Sequence, residues 1–276
     1  MCRKYGERPQ VLVLNYPSNP TGMTLTHDEL EKIAGAARRN NVVLLSDEIY
    51  GELHHEGAHE SVARFYPEGT IISSGLSKWC GAGGWRLGTF AFPPALHWLR
   101  QAMTVLASET YTSTSAPIQY AAVRAFQGGT RIEQYLWLAR RILRAIGRRL
   151  RARLTEAGLH VERPEGAFYL FVDFARFKEA LQERGIADSR ELCERLLLET
   201  GVAALPGVDF GCPPGELTMR MAYVDFDGAR ALAAAETLPK DVEIGDGFVL
   251  RYAGDLVKAI ESVAEWVRRP ADPRVE

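Results

Sequence analysis

Three short apolar runs near the start of the chain, residues 11–14, 42–45 and 71–72, each pass directly into a polar, turn-rich segment. This feature constrains the fold more than any other. Short apolar runs bounded by turn signals read as buried strands of a parallel sheet, and the ends of such strands deliver side chains to a site. Between the first two runs, residues 26–40 read as a helix. Thr26 and Glu29 stand at capping-box spacing, and Leu30, Ile33, Ala34 and Ala37 fall on one face. Strand, helix and strand in that order predict parallel strands joined by a right-handed crossover. Residues 88–92, just before Pro93 and Pro94, supply a fourth strand candidate.

Residues 132–157 are predicted to form a long helix ended by Gly158. Its arginines (Arg140, Arg141, Arg144, Arg148, Arg149, Arg151 and Arg153) read as a solvated face with long aliphatic stems. Strand-like residues 168–172, a helix over 189–200, strand-like 218–224 and a last helix over 255–268 describe a smaller α+β domain. Residues 229–249, punctuated by Pro239, Asp241, Gly245 and Gly247, read as an inserted loop. The expected division is therefore a first domain over 1–145 and a second over 146–276.

Composition matters for what it excludes. A net charge of -2 gives no electrostatic reason to expect nucleic acid or an anionic membrane as a partner. No apolar run is long enough to cross a bilayer, and the opening residues 1–9 lack the apolar stretch of a signal peptide. The cysteines (Cys2, Cys80, Cys193 and Cys212) are scattered, which predicts neither a disulfide framework nor a metal site and suits a reducing cytoplasm. His55 and His59, with Glu56 and Glu60 nearby, are read as part of a variable surface loop, and no metal is expected.

Four clusters of chemistry-bearing residues stand at the ends of predicted strands, where open α/β sheets place their ligands. They are N-Y-P-S-N-P-T-G at 15–22, S-D-E-I-Y at 46–50, S-S-G-L-S-K at 73–78 continuing as W-C-G-A-G-G-W-R-L-G to 88, and T-M-R-M-A-Y at 218–223. Singly, each has an ordinary structural explanation as a turn, a helix cap or a surface lysine. In this order and spacing the set resembles the class I aminotransferases of pyridoxal-5′-phosphate (PLP) fold type I. The resemblance runs from Val11 to Arg268 apart from residues 229–249, and N-P-T-G and S-K…G-G-W-R-L-G are its most specific parts.

The resemblance implies an α/β fold: a partial large domain with a mainly parallel sheet, then a small C-terminal α+β domain. It implies that Lys78 holds PLP as a Schiff base and, once released, moves the proton at the substrate Cα. Asp47 would keep the cofactor's ring nitrogen protonated, with Glu48 structural. Asn19 and Tyr50 would bond the phenolic oxygen, and Ser77 and Arg86 the phosphate, which a guanidinium meets bidentately. Arg220 would clamp the substrate α-carboxylate, and Gly166 would let backbone pass close to substrate. Pro206 to Gly211 resembles a loop near the site mouth. The function so implied is transfer of an amino group from an amino acid to a 2-oxo acid, by a cytoplasmic homodimer.

The same motifs also fit C–S β-lyases, a PLP-binding sensor module and an inactive fragment. The family's N-P-T-G segment lies mid-chain, so the resemblance implies that roughly the first two-fifths of the family chain has no counterpart here. Residues 111–115 offer no arginine for a distal carboxylate, which mildly disfavours one mode of dicarboxylate recognition.

Overall fold

The computed structural model describes residues 9–270, so Cys2 and most of the opening segment read for a signal peptide lie outside the described residues. The described residues form two compact units: one runs up to Ser18 and takes in Thr24–Trp137, and the other joins Asn19–Met23 with the residues from Leu138 onward.

The first unit is built on strands β1 (Val11–Asn15), β2 (Val43–Asp47), β3 (Thr70–Gly75) and β4 (Gly88–Ala91), in that spatial order. The first three are parallel, and β4 runs antiparallel to β3. Helix α1 (His27–Arg39) makes the crossover from β1 to β2. Its start is fixed as the sequence predicts: Thr26 accepts the Glu29 N–H, and the Glu29 carboxylate accepts the Thr26 N–H at 2.8 Å. Asp28 and Glu29 in the first turn and Arg38 and Arg39 in the last suit the helix dipole. The face formed by Leu30, Ala34 and Ala37 packs with Tyr16, Val42, Leu44, Val62 and Tyr66 into the unit's core.

Strand β1 corrects one expectation. Its apolar run predicts burial on both faces, yet Val11 and Val13 are each 59% exposed, because β1 is an outer strand of the sheet. Two helices absent from the sequence reading follow β4: α2 (His97–Thr110) and α3 (Ala116–Phe126). No residue of α2 is buried, and α3 buries Ala122 alone. With β4 they border a cavity of about 760 Å³ lined by Leu87, Thr104, Tyr111, Val123 and Phe126 among others.

Helix α4 (Thr130–Glu156) contributes residues to both units. The second unit's sheet is antiparallel, in the order β5 (His160–Val161), β6 (Tyr169–Asp173), β8 (Thr218–Ala222), β7 (Leu205–Pro206). Around it stand α5 (Lys178–Glu183), α6 (Ser189–Thr200), α7 (Gly228–Glu236), α8 (Asp246–Tyr252) and α9 (Gly254–Trp266). Helix α6 begins at Asp188, which accepts the N–H groups of Arg190 and Glu191, and ends at Gly201 in the left-handed conformation.

Residues 229–249 are not a loop: most of them belong to α7 and α8, and the segment between is tied down by α4. Arg141 donates to the carbonyls of Pro239 (3.2 Å) and Val242, Arg148 to that of Ile244 (3.1 Å), and Arg149 to Asp246 (3.2 Å). Arg153 pairs with Glu261 of α9 at 2.6 Å. The arginine-rich face is thus a row of clamps on backbone carbonyls and carboxylates, and Arg141 is 8% exposed. Among the described residues no helix is long and apolar enough to cross a membrane.

Candidate active site

In the first unit the parallel register sets the chemistry. Pairing Val11 with Val43 carries through to Asn15 opposite Asp47, at the C-terminal ends of adjacent strands. Asn15 Nδ2 donates to Asp47 Oδ2 at 3.0 Å, and the Ile49 N–H donates to Oδ1 at 3.3 Å. Burial pushes the Asp47 carboxyl above the usual aspartate range, and these two bonds only partly offset it.

Glu48, next in sequence, has the opposite surroundings. Ser46 and Ser61 donate to its Oε1 at 2.8 and 2.5 Å, and His59 Nε2 lies 3.0 Å from Oε2. Burial alone would raise this carboxyl, but His59 and the two hydroxyls outweigh it and hold it below the usual range. The expected surface loop around His55 and His59 is corrected here. His55 is 6% exposed, and the His59 ring packs on Tyr16 with centroids 5.2 Å apart. Gly51 makes room for that ring, since a Cβ there would meet it at 2.7 Å. Among the described residues no group of three or more His, Cys, Asp or Glu side chains is arranged to hold a metal ion.

Tyr50 is buried, and Lys78 Nζ lies 5.7 Å from the centroid of its ring. Lys78 stands in the turn after β3, itself half-buried. That turn opens a loop whose ends are tied by the Leu76 N–H to the Leu87 carbonyl (3.4 Å). At the loop's start Gly75 is obligatory, because a Cβ would sit 2.6 Å from the Leu87 carbonyl oxygen. Ser77 lies at one end of the loop and Arg86 at the other. Arg86 has φ +54°, uncommon for a side-chain-bearing residue, and donates from Nη1 to the Gly83 carbonyl at 2.7 Å.

The motif at 15–22 divides between the units after Ser18. Its second half packs on the second unit's sheet. Gly22, at φ +72°, accepts the N–H groups of Glu165 (2.8 Å) and Gly166 (3.0 Å), and a Cβ on it would meet the Gly166 carbonyl at 3.0 Å. Asn19 Oδ1 accepts from Arg220 Nη1 at 2.9 Å, which aims the amide's Nδ2 end elsewhere. Arg220 lies mid-strand in β8 with Phe171 and Leu205 as cross-strand neighbours. Its guanidinium carbon is 4.6 Å from the centroid of Tyr169 and 5.1 Å from that of Phe210. Its Nε is buried with no hydrogen-bond partner among the described residues.

The sequence profile described as "Aminotransferase class I and II" matches residues 1–235. The chain belongs to this family. An aspartate aminotransferase of Bacillus sp. (strain YM-2) is 38% identical over 222 residues, covering 79% of this chain and 54% of that protein. An asparagine–oxo-acid transaminase of Streptococcus mutans is 34% identical over 221 residues, covering 78% of this chain and 53% of that one. An aspartate aminotransferase of Thermus thermophilus, solved with maleate, superposes with a TM-score of 0.74 at 30% identity, over 96% of this chain and 58% of that one. An aromatic aminotransferase from Pyrococcus horikoshii gives 0.73 at 28% identity. The chain therefore spans about half the length of the curated relatives it matches, and the mixed α/β architecture is that of the PLP-dependent fold seen in the solved aminotransferases.

Against this family the sequence motifs divide into two sets, Asp47, Tyr50, Ser77, Lys78 and Arg86 in the first unit and Asn19, Gly166 and Arg220 in the second. Four residues had no assigned contact in the sequence reading: Asn15 as the partner of Asp47, His59 and Ser61 as the cradle of Glu48, and Phe210 against Arg220. Asn15 stood inside a recognised motif, and only the strand register reveals its partner.

Proposed function

We propose that this chain carries the lysine-bearing part of a PLP-dependent aminotransferase, moving an amino group from an amino acid to a 2-oxo acid. The observation that carries this reading is the group formed by Asp47, Tyr50 and Lys78. A half-buried carboxylate bonded by Asn15 stands in the same unit as an amine 5.7 Å from the centroid of a buried tyrosine ring. The donor set suits the cofactor. Asp47 is costly to ionise where it stands, and a cationic ring N–H beside it would offset that cost while itself being held protonated.

When bound, PLP would supply an electron sink for the pair left at the substrate Cα. Lys78 supplies the primary amine that would hold the cofactor, and afterwards a base and acid for the Cα proton. The Tyr50 hydroxyl and the Nδ2 end of Asn19 are donors for the phenolic oxygen. Within the second unit Asn19 Oδ1 accepts from Arg220 Nη1. Ser77 and Arg86 would hold the phosphate, and Arg220 the substrate α-carboxylate through a two-pronged contact. Gly166, buried with its N–H bonded to the Gly22 carbonyl, would let backbone pass close to substrate. Proteins similar to this one are named for aspartate, asparagine and aromatic substrates, which supports amino-group transfer as the shared chemistry. The proposal includes a homodimer acting in the cytoplasm.

The test is direct. Purified chain is mixed with PLP, desalted and scanned for a visible absorbance band, with Lys78→Ala alongside. A band retained by the wild type and lost in the variant is the expected result, followed by amino-group transfer to 2-oxoglutarate. Release of pyruvate and ammonia in place of transfer would convert the assignment to an elimination enzyme. No retained band in a folded chain would refute cofactor binding by this polypeptide.

A further inference from the structure

Residues 206–211, Pro-Gly-Val-Asp-Phe-Gly, have no part in the proposed reaction, yet the fold mounts them with care. Gly207 is pressed on β8 so closely that a Cβ would fall 1.9 Å from Thr218 Oγ1. The Val208 N–H donates to Ser189 Oγ at 3.3 Å, and Asp209 pairs with Arg190 at 2.7 Å. Gly211 closes the segment in the left-handed conformation at φ +86°. The residue this mount presents is Phe210. It is half-buried, so it is not core filler, and its edges meet Phe171 at 6.2 Å and an 86° interplanar angle. Its ring lies against the Arg220 guanidinium at 5.1 Å.

We propose that Phe210 is a positioning residue for Arg220, fixing the guanidinium plane before a carboxylate arrives; this rests on the reading of Arg220 as the carboxylate clamp. An arginine side chain turns about several bonds, and bidentate recognition needs the plane of the fork set in advance. The bond from Nη1 to Asn19 anchors one corner but leaves rotation about that corner. The rings of Phe210 and Tyr169 remove that freedom. With Nε buried and one Nη1 hydrogen committed, the edge left for a ligand is the terminal one between Nη1 and Nη2. Phe210 thus acts on affinity through Arg220 without touching the ligand's charge.

The experiment uses the whole chain, maleate as the carboxylate probe, and the variants Phe210→Leu, Phe210→Tyr and Arg220→Lys. Titration calorimetry gives affinity, and the Nε–Hε resonance of Arg220 in 15N-arginine-labelled protein reports the rings even without ligand. Phe210→Leu should weaken maleate about threefold to tenfold and release the ring-current shift of the Arg220 resonance, while Phe210→Tyr preserves both. Arg220→Lys should weaken binding further. If Phe210→Leu binds as the wild type does while Arg220→Lys is weakened, positioning by Phe210 is overturned and the clamp reading stands. If Arg220→Lys is unaffected, or the wild type shows no binding, both fall. Phe210→Met replaces the leucine variant should the latter fail to fold.

Discussion

Asp47 and Glu48 are neighbouring carboxylates with opposite environments, so substituting Glu48 should damage the fold while sparing the chemistry. The Glu48 side chain is 11% exposed, and it accepts from Ser46, Ser61 and His59. Glu48→Ala leaves those donors without their acceptor inside the protein. Each stranded buried donor costs about 1–3 kcal/mol, and because the three share one acceptor their losses do not add. The expected total is about 3 kcal/mol, the upper end for one stranded buried donor. Glu48→Gln keeps an oxygen for the two serine hydroxyls but turns a donor toward His59, and should cost about 1–2 kcal/mol.

The pH dependence gives a second, independent reading. The folded Glu48 carboxyl lies below its ordinary value of 4.5. The unfolded chain therefore binds the proton more readily, and the stabilisation is complete above that value and lost as pH falls through the lower, folded one. Urea unfolding of wild type and both variants at pH 7, repeated for Glu48→Gln at steps below pH 4.5, measures this. The glutamine penalty should shrink on the acid side. An alanine variant within about 1 kcal/mol of wild type at neutral pH would refute the account, because no buried acceptor could then have been removed.

Asp47 should behave in the reverse sense. Its carboxyl is raised by burial, so its contribution favours the fold below the ordinary value of 3.8 and is lost as pH rises through the folded one. Asp47→Asn should leave the cofactor-free chain as stable at pH 7 or more so, by urea unfolding, while lowering PLP retained after desalting. Gly75→Ala should destabilise the first unit by about 2 kcal/mol or more, because the added Cβ meets the Leu87 carbonyl and neither strand can yield alone. A midpoint shift of under half that size would show the strands to be softer than they look. Tyr223→Phe should raise stability by about 1 kcal/mol, since the Tyr223 hydroxyl is fully buried with no hydrogen-bond partner among the described residues. A lower melting temperature would reveal a bond to water.

The parts legible in the sequence were those encoded locally. The α1 start was readable because Thr26 and Glu29 satisfy each other across one turn, and α6 because Asp188 and Gly201 supply both caps. What escaped was non-local. The Arg141 and Arg148 side chains looked solvated because their acceptors, the carbonyls of Pro239, Val242 and Ile244, lie about a hundred residues away. Residues 229–249 looked like a loop because glycine and proline were read as breakers of one long element. They mark boundaries between two helices, with Gly245 as the N-cap of α8. Motif identity singled out Asp47, Lys78 and Arg220 as candidates, but it could not say what packs against each, since Asn15, Tyr50 and Phe210 come into contact only through register and tertiary packing.

The disagreement over β1 carries a different lesson. An apolar run reports the burial a segment is suited to, and Val11, Leu12 and Val13 read as suited to a covered strand while standing 59%, 38% and 59% exposed. Helices α2 and α3 repeat the mismatch, with Trp98, Val105, Leu106, Tyr120 and Val123 all more than half exposed. In the second unit the outcome differs: the long faces of β6, β8 and α9 are apolar and buried together. The two halves of the motif set therefore rest on unequal supports. Arg220 is mounted on a sheet whose central strands β6 and β8 bury most of their apolar residues, with Leu205 of β7 44% exposed. Lys78 and Asp47 are mounted on one whose outer strand and following helices present large apolar faces, the kind of surface that marks contact with another protein surface.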